Sequence, residues 1–433
     1  MKKILASAGL ATLGATGLHA AYAPGLTTVE TSKPWSVSAS LRGFYDDNYN
    51  TAPSHPMSVF TPKAKSSFGF EVSPGVALNL LPTDQTYVGL SYVYSMRYYT
   101  ERENNPIDHS HEFTAKVKHK FSERYKLDLA DSFLYAQEPE LIESTGIISA
   151  PTRALRGNSD VLRNRLDIDF SARVTDLTRI TAGYQNIWYD YLQSADDLVD
   201  PSNPTGAGSR SALLDRIEHL IHVDGRWQMR DNLEALVGYQ YGVTDYTSEE
   251  PILPGVPGDI RDSSSHYFYI GASYEVTSQL SAQGQVGVQY TSYESLPGST
   301  LNPYVDMSGV YYYMAGSYVQ FGFRHARNAT DVVGGPGDIT TDQESSSVYA
   351  SINHKITPRI TGSLLGQFQN STFHGGAAND SVDNIFLLGV NFAYQINPYL
   401  AAEAGYNWDR LDSDLPDRSF SRNRIYMGIH AKY

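Results

Sequence analysis

From Trp35 to the C terminus the chain alternates apolar and polar residues with a period of two, and no stretch keeps helical spacing long enough for an amphipathic helix. In "DNIFLLGVNFAYQI" Phe386, Leu388, Val390, Phe392, Tyr394 and Ile396 share one side, with Asn391 and Gln395 on the other. "VLRNRLDIDFSARV" sets Leu162, Leu166, Ile168, Phe170 and Val174 against Arg163, Arg165, Asp167, Asp169 and Arg173. "EFTAKVKHKF" opposes Phe113, Ala115, Val117 and Phe121 to Lys116, Lys118 and Lys120. "RIEHLIHVDGRW" opposes Ile217, Ile221, Val223 and Trp227 to Arg216, Glu218, His222, Asp224 and Arg226. In "YLAAEAGYNWDRL" Leu400, Ala402, Ala404, Tyr406 and Trp408 oppose Glu403, Asn407 and Asp409. Each reads as a β-strand with one apolar and one polar face, because successive side chains point to opposite sides of a sheet.

Tight turns and longer loops alternate between these strands. The tight ones are "LPTDQ" at 81–85, "SER" at 122–124, "TDL" at 175–177, "MRDN" at 229–232, "TS" at 277–278, "AGS" at 315–317, "TP" at 357–358 and "NP" at 397–398. Nine loops rich in Asp, Ser, Asn, Gly and Pro separate them, the first near 46–63 and the last near 413–419. Seventeen connections imply eighteen strands, with sixteen as the alternative if one hairpin is miscounted. A soluble sandwich and a membrane barrel both alternate in this way. Strands of roughly 11–14 residues exceed the usual 5–6 and suffice to cross a bilayer. Aromatics gather at strand ends, as in "YSMRYY", "IWYDY" and "YQYGVTDY", which suits interfacial girdles. The expectation is an all-β chain: a transmembrane antiparallel up-and-down β-barrel over 35–433, with short periplasmic turns and long extracellular loops.

Ahead of the barrel, "MKKILASAGLATLGATGLHA" places Lys2 and Lys3 before an apolar, small-residue run. This is the layout of a secretory signal peptide over 1–23, cut after Ala20 or Ala23, followed by a short periplasmic segment at 24–34. Composition sharpens the picture. Of the 33 basic residues the leader takes two, leaving 31 against 47 acidic ones and a mature net charge of about −16. That balance excludes nucleic acid as a partner. There is no cysteine to build a disulfide framework, and 32 tyrosines and 35 glycines are unusual for a soluble enzyme of 433 residues.

The last strand must close the sheet against the first, near "WSVSASLRGFY", because hydrocarbon cannot satisfy a bare strand edge. In "RIYMGIHAKY" Ile425, Met427, Ile429, Ala431 and Tyr433 share one face. An alternating C-terminal strand ending in an aromatic resembles the assembly signal of bacterial outer-membrane barrels. The resemblance implies that Ile425, Met427, Ile429 and Tyr433 are read by the barrel-assembly machinery. The whole mature chain resembles the Gram-negative β-barrel porins of the second type, some of which are associated with exopolysaccharide secretion. That likeness implies an outer-membrane location, contact with lipid and lipopolysaccharide, and a passive channel for small hydrophilic solutes or ions. A conduit for exopolysaccharide export and a surface adhesin or receptor are the alternatives. The chain departs from trimeric general porins in lacking an obvious acidic constriction-loop motif, which leaves its oligomeric state open.

A barrel of 16–18 strands is too wide to be filled by its own side chains, so the polar face lines a lumen. The charges expected there are Lys116, Lys118, Arg163, Arg165, Asp167, Asp169, Arg173, Arg216, Glu218, Arg226 and Glu403, with the basic members concentrated between Lys116 and Arg226. Any constriction must come from loops, 137–161 with its apolar "GIIS" and 193–214 being the candidates. Tyr189, Tyr191 and Tyr349 fall on the inward parity, where they could stack sugars. "DHSHE" at 108–112 lacks a third metal ligand at recognisable spacing, and "DRLDSDLPD" at 409–417 lacks the Gly and terminal Glu of a calcium loop. No nucleophile elbow, phosphate loop or dinucleotide turn is present, so no catalytic residue, metal or cofactor is expected. A second pattern is internal: "PGDIRDSSSHYFYIGASYEVTSQL" from 257 and "PGDITTDQESSSVYASINHKITPRI" from 336 repeat the order loop, strand, turn, strand, which duplication or convergent loop composition both explain.

Overall fold

The computed structural model describes residues 34–56, 63–137, 160–198, 208–335 and 338–433. The leader at 1–23, the segment 24–33, the "GIIS" portion of the 137–161 loop and residues 199–207 of the 193–214 loop lie outside the described residues.

Eighteen strands form one sheet. They are β1 (Trp35–Asp46), β2 (Ser67–Thr83), β3 (Thr86–Tyr99), β4 (Ile107–Lys120), β5 (Tyr125–Ala136) and β6 (Val161–Arg173). There follow β7 (Thr178–Tyr191), β8 (Arg216–Arg230), β9 (Leu233–Tyr246), β10 (Ser263–Glu275), β11 (Leu280–Tyr293) and β12 (Ser299–Met314). The last six are β13 (Ser317–Asn328), β14 (Asp342–Lys355), β15 (Ile360–His374), β16 (Val382–Asn397), β17 (Leu400–Ser413) and β18 (Phe420–Lys432). Each pairs antiparallel with its neighbours in sequence, and β1 pairs with β18 from Ser38↔Lys432 to Asp46↔Arg424, so the sheet closes on itself. The count of eighteen stands, and every backbone edge has a partner, as hydrocarbon requires.

The terminal strand displays the logic of the whole wall. Ile425, Met427 and Ile429 are 54%, 68% and 46% exposed on the outside, whereas Tyr426 between them is 5% exposed on the inside. The last residue is tied at both backbone atoms: the Val37 N–H donates to the Tyr433 carbonyl at 3.0 Å and the Tyr433 N–H to Val37 at 2.9 Å. Its ring lies 5.7 Å from Trp35 and 5.8 Å from Tyr399, an aromatic cluster at the closing edge on the short-turn rim. Tyr and Trp suit this depth because their rings are apolar and their polar tips reach water.

The short turns depart from their sequence patterns in both directions: "LPTDQ" is tighter, whereas around "TS" and "TP" residues 276–279 and 356–359 all lie outside the strands. In "LPTDQ" only Asp84 and Gln85 leave the strands, because β2 runs on to Thr83 through an irregular register beyond Leu80. Three turns share one device. The hydroxyls of Thr175, Thr277 and Thr357 each accept from the backbone N–H groups two and three residues on, at 2.9 to 3.2 Å. A threonine side chain thus replaces the backbone bond that a tight reversal leaves unmade. Two of these turns, at Thr277 and Thr357, belong to the two repeated segments, which form matching hairpins.

"DHSHE" lies at the long-loop end of β4, from its second residue on, with His109 and His111 on the outward face. Their Nδ1 atoms lie 2.8 Å from the Tyr94 hydroxyl and 2.9 Å from the Tyr92 hydroxyl. Among the described residues no group of three His, Cys, Asp or Glu is placed to hold a metal.

Candidate functional site, the barrel lumen

The inward faces of β4 to β14 enclose a cavity of about 760 Å³. Lys116, Lys118, Arg165, Asp167, Asp169, Arg216, Glu218 and Arg226 line it. Arg163 shares their inward register, facing Leu134 on one side and Tyr189 on the other. Arg173 also shares the register but is exposed at the short-turn end, below the cavity. Residues two apart on one strand point the same way, so Arg165 reaches Asp167 at 2.8 Å and Arg216 reaches Glu218 at 2.7 Å along their own strands. Arg179 and Arg226 share the carboxylate of Glu234 at 2.7 and 3.1 Å.

Across the middle of this wall runs a polar chain that the alternation alone does not single out. His222 Nε2 lies 2.9 Å from Asp169 Oδ1, its Nδ1 3.6 Å from Asp224, and the Tyr269 hydroxyl donates to Asp224 at 2.7 Å. The chain steps over intervening strands because Gly183 and Gly238 sit beneath it. A Cβ on Gly183 would stand 2.0 Å from His222 Nε2, and one on Gly238 would stand 2.2 Å from the Tyr269 ring. Beyond Tyr269 the lumen becomes aromatic: Tyr304 lies 6.0 Å from Tyr269 and 5.2 Å from Tyr267, and Gln285 donates to the Tyr304 hydroxyl at 2.8 Å. These tyrosines were legible only as members of the inward parity. Tyr189 and Tyr349 line the cavity too, Tyr189 beneath the Arg216 guanidinium at 4.1 Å. Tyr191 does not: it is 3% exposed within an apolar cluster of the long-loop rim.

Glu403 also departs from its expected place. It lies on the inward face but away from the cavity, 2.6 Å from Arg42 Nε. Arg42 in turn meets Glu71 at 3.2 Å, and Glu71 meets Arg97 at 3.1 Å. Arg422 and Asp46 pair at 2.5 Å nearby. These charges bridge β17, β18, β1, β2 and β3, the strands around the closing edge, and all but half-buried Arg97 are buried. Close by, Ile385, Leu387, Leu411 and Phe420 form an apolar cluster on the inner wall, where the alternation predicts polar residues.

The long-loop rim has a core of its own. The short helix α1 (Arg210–Leu214) begins at Ser209, whose hydroxyl accepts from the Ala212 N–H. It buries Ala212, Leu213 and Leu214 against Val161, Tyr191 and Ile252, with Val256, Ile260, Val333 and Ile339 packed around them. Full burial of each Leu or Ile contributes about 1.5–3 kcal/mol, enough to offset the ordering of several loop residues. Loop 247–262 and residues 329–335 and 338–341 are therefore part of the rim core, beyond the 193–214 segment expected from sequence. Buried Arg261 joins them, donating to the carbonyls of Leu213 and Thr330 at 2.6 and 3.2 Å and lying 4.2 Å over the Tyr246 ring. Arg418 bonds Asp331 and Asp383, both at 2.8 Å. Burial by itself lowers the Arg418 pKa, but the two carboxylates more than offset it and hold the guanidinium firmly charged. Asp215, the C-terminal cap of α1, is pushed up to about 7 by burial, which outweighs the bonds it accepts from the Ser211 hydroxyl and the Tyr191 N–H.

A closed antiparallel barrel with an apolar belt outside, a charged lumen inside, short turns on one rim and folded loops on the other is a porin-like barrel of the outer membrane. Residues 215–433, half of the chain, match the family described as "Putative beta-barrel porin 2". The chain belongs to that family and is an outer-membrane protein. Among solved structures it is similar to a BenF-like porin from Pseudomonas fluorescens Pf-5, at 10% identity over 93% of this chain and 99% of that one, with a TM-score of 0.47. It is similar also to OccAB4 from Acinetobacter baumannii (10% identity, 93% and 99% covered, TM-score 0.45) and to the outer membrane protein opdK from Pseudomonas aeruginosa (10%, 92% and 99%, 0.44). No curated protein matches.

Proposed function

We propose that the protein is a passive channel for small hydrophilic solutes or ions, lined by the charges of β4 to β8. The observation that carries this reading is the 760 Å³ cavity, whose wall combines Lys116, Arg165, Asp167 and Glu218 with the amide and hydroxyl groups of Gln285, Gln289 and Ser347. Such a wall replaces the water shell of a polar solute group by group without holding it tightly, the condition for conduction. On this reading the rim core of α1, loop 247–262 and residues 329–335 and 338–341 narrows the outer mouth. The barrel-assembly machinery reads Ile425, Met427, Ile429 and Tyr433 during insertion, and the outward stripe then meets lipid and lipopolysaccharide. Purified protein in planar bilayers gives discrete ohmic conductance steps; preparations that remain silent while the barrel is folded overturn the proposal.

A second reading is supported by the lumen tyrosines. Tyr267, Tyr269, Tyr304 and Tyr349 offer flat rings to the pyranose faces of a passing saccharide chain. Neutral oligosaccharides would then interrupt the current in a length-dependent way, and Tyr304→Ala would shorten each interruption. Interruptions indifferent to chain length and to Tyr304 leave the first reading alone.

A further inference from the structure

The register of the charged wall sets cations face to face. Lys120 lies directly opposite Lys126, Arg173 opposite Arg179, and Arg179 opposite Arg226. Side chains so placed have Cβ atoms about 4.5–5.5 Å apart, and like charges there repel. Above Lys120 on the same face of β4, Lys118 and Lys116 continue the column into the cavity in steps of about 6–7 Å. The strands gain no stability from this arrangement.

Nor are the charges spent on partners. Among the described residues Lys116, Lys118, Lys120, Lys126 and Arg173 form no ion pair; Arg179 and Arg226 share Glu234, and Arg226 also reaches Asp224 at 3.4 Å. The other inward carboxylates near this level are Asp128, which faces Lys118 and Asp169, then Asp224 beside Arg226, and Glu275 at the end of β10. Glu123, Asp176 and Asp231 lie beyond the strand ends, in the turns. At the same depth on β12 to β15 the inward positions Ser308, Gln320, Ser351, Asn353 and Ser363 are uncharged, with the single cation Lys355 at the end of β14. A one-sided cationic arc thus stands in a protein whose net charge is −14. Its outermost members, Lys120, Lys126 and Arg173, are exposed to water at the short-turn mouth.

We infer that this arc is a capture and selection site for small multivalent anions at the periplasmic mouth: solutes carrying two or more carboxylate or phosphate groups. Selection follows from spacing. A monovalent anion meets one cation at a time, whereas a polyanion spans two rungs of the cross-strand and along-strand grid and gains from both. At about 0.1 M salt the Debye length is about 10 Å, so neighbouring rungs act together; at 1 M it is about 3 Å and the advantage collapses. Entry through the lumen rests on the channel reading above, but the site itself does not.

The test compares wild type with the quadruple variant Lys118→Gln/Lys120→Gln/Lys126→Gln/Arg173→Gln, with Lys65→Gln in an exposed outer loop as control. In planar bilayers under a potassium chloride gradient the wild type prefers chloride severalfold at low salt, and the quadruple variant loses the preference. Citrate added to one side blocks wild-type current, and the variant needs about tenfold more. A cation-preferring wild type, or an unchanged reversal potential and citrate block in the variant, overturns the inference while leaving the channel standing. If the wild type conducts nothing, the channel reading falls and the site is judged by calorimetry of citrate on the folded, detergent-solubilised barrel. Binding present in wild type and lost in the variant supports it; no binding, or equal binding in both, sinks it. Retained heat-modifiable gel mobility shows that the variant is folded.

Discussion

The charges around the closing edge and the cations of β4, β5 and the short-turn end of β6 stand on the same inward face, yet they behave oppositely. Around the closing edge Arg42, Glu71, Arg97 and Glu403 interlock, with Glu71 and Glu403 side chains each 2% exposed. Between β4 and β6 Lys116, Lys118, Lys120, Lys126 and Arg173 have no ionic partner among the described residues. A buried, hydrogen-bonded pair fixes geometry, and removing one partner strands the other charge in a low dielectric. A water-facing cation does little for stability and projects its field into the lumen. The first region works as a suture for the strands that close last, and the second is left available to whatever passes.

The sharpest way to break this contrast is to remove one charge from each side. Arg42→Ala leaves Glu403 buried without its cation, and the expected loss is about 3–5 kcal/mol in urea unfolding of the lipid-embedded barrel. Lys118→Gln is expected to change stability by no more than about 0.5 kcal/mol. Comparable losses in the two variants would erase the distinction.

The next effect is smaller and lies where the charged wall is locked after all. Gly183→Ala puts a methyl group 2.0 Å from His222 Nε2 and 2.3 Å from Asp169 Oδ1, so the pair must part. A cost of about 1–3 kcal/mol is expected, against little change for Gly366→Ala, whose added carbon meets nothing within 4 Å. The smallest effect concerns the outer rim. The carboxyl of Asp215 titrates near 7 in the folded loop against 3.8 when free. The folded loop therefore keeps a proton that the free chain has lost, and its contribution to rim stability falls as pH rises from about 4 through about 7. Limited proteolysis of the rim should quicken severalfold between pH 5 and pH 8 in the wild type and stay flat in Asp215→Asn; parallel profiles would show that another group governs the rim.

Much of this architecture was readable before any coordinates. Period-two alternation marks strands because a pleated chain has only two faces, and alternating short and long connections count them to eighteen. Threonines at 175, 277 and 357 sit where reversals must occur. What could not be read is who meets whom. Glu403 and Lys118 look alike in sequence, each a charge on a polar face. Glu403 becomes structural because closure brings Arg42, 361 positions away, within 2.6 Å. Tyr191 sits on the same parity as Tyr189, yet loop packing draws it into the rim core with Leu213 and Ile252. Loops 247–262 and 329–341 carried no periodic signal, since a core assembled from several short apolar runs leaves no repeat in any one of them.

The sequence by itself settled which residues face lipid and which face the interior, because that is a local property of an extended chain crossing an apolar slab. Only the tertiary structure decided which interior charges are neutralised. Pairing depends on strand register and on the closure of the first strand against the last, and these bring together residues that share no local pattern.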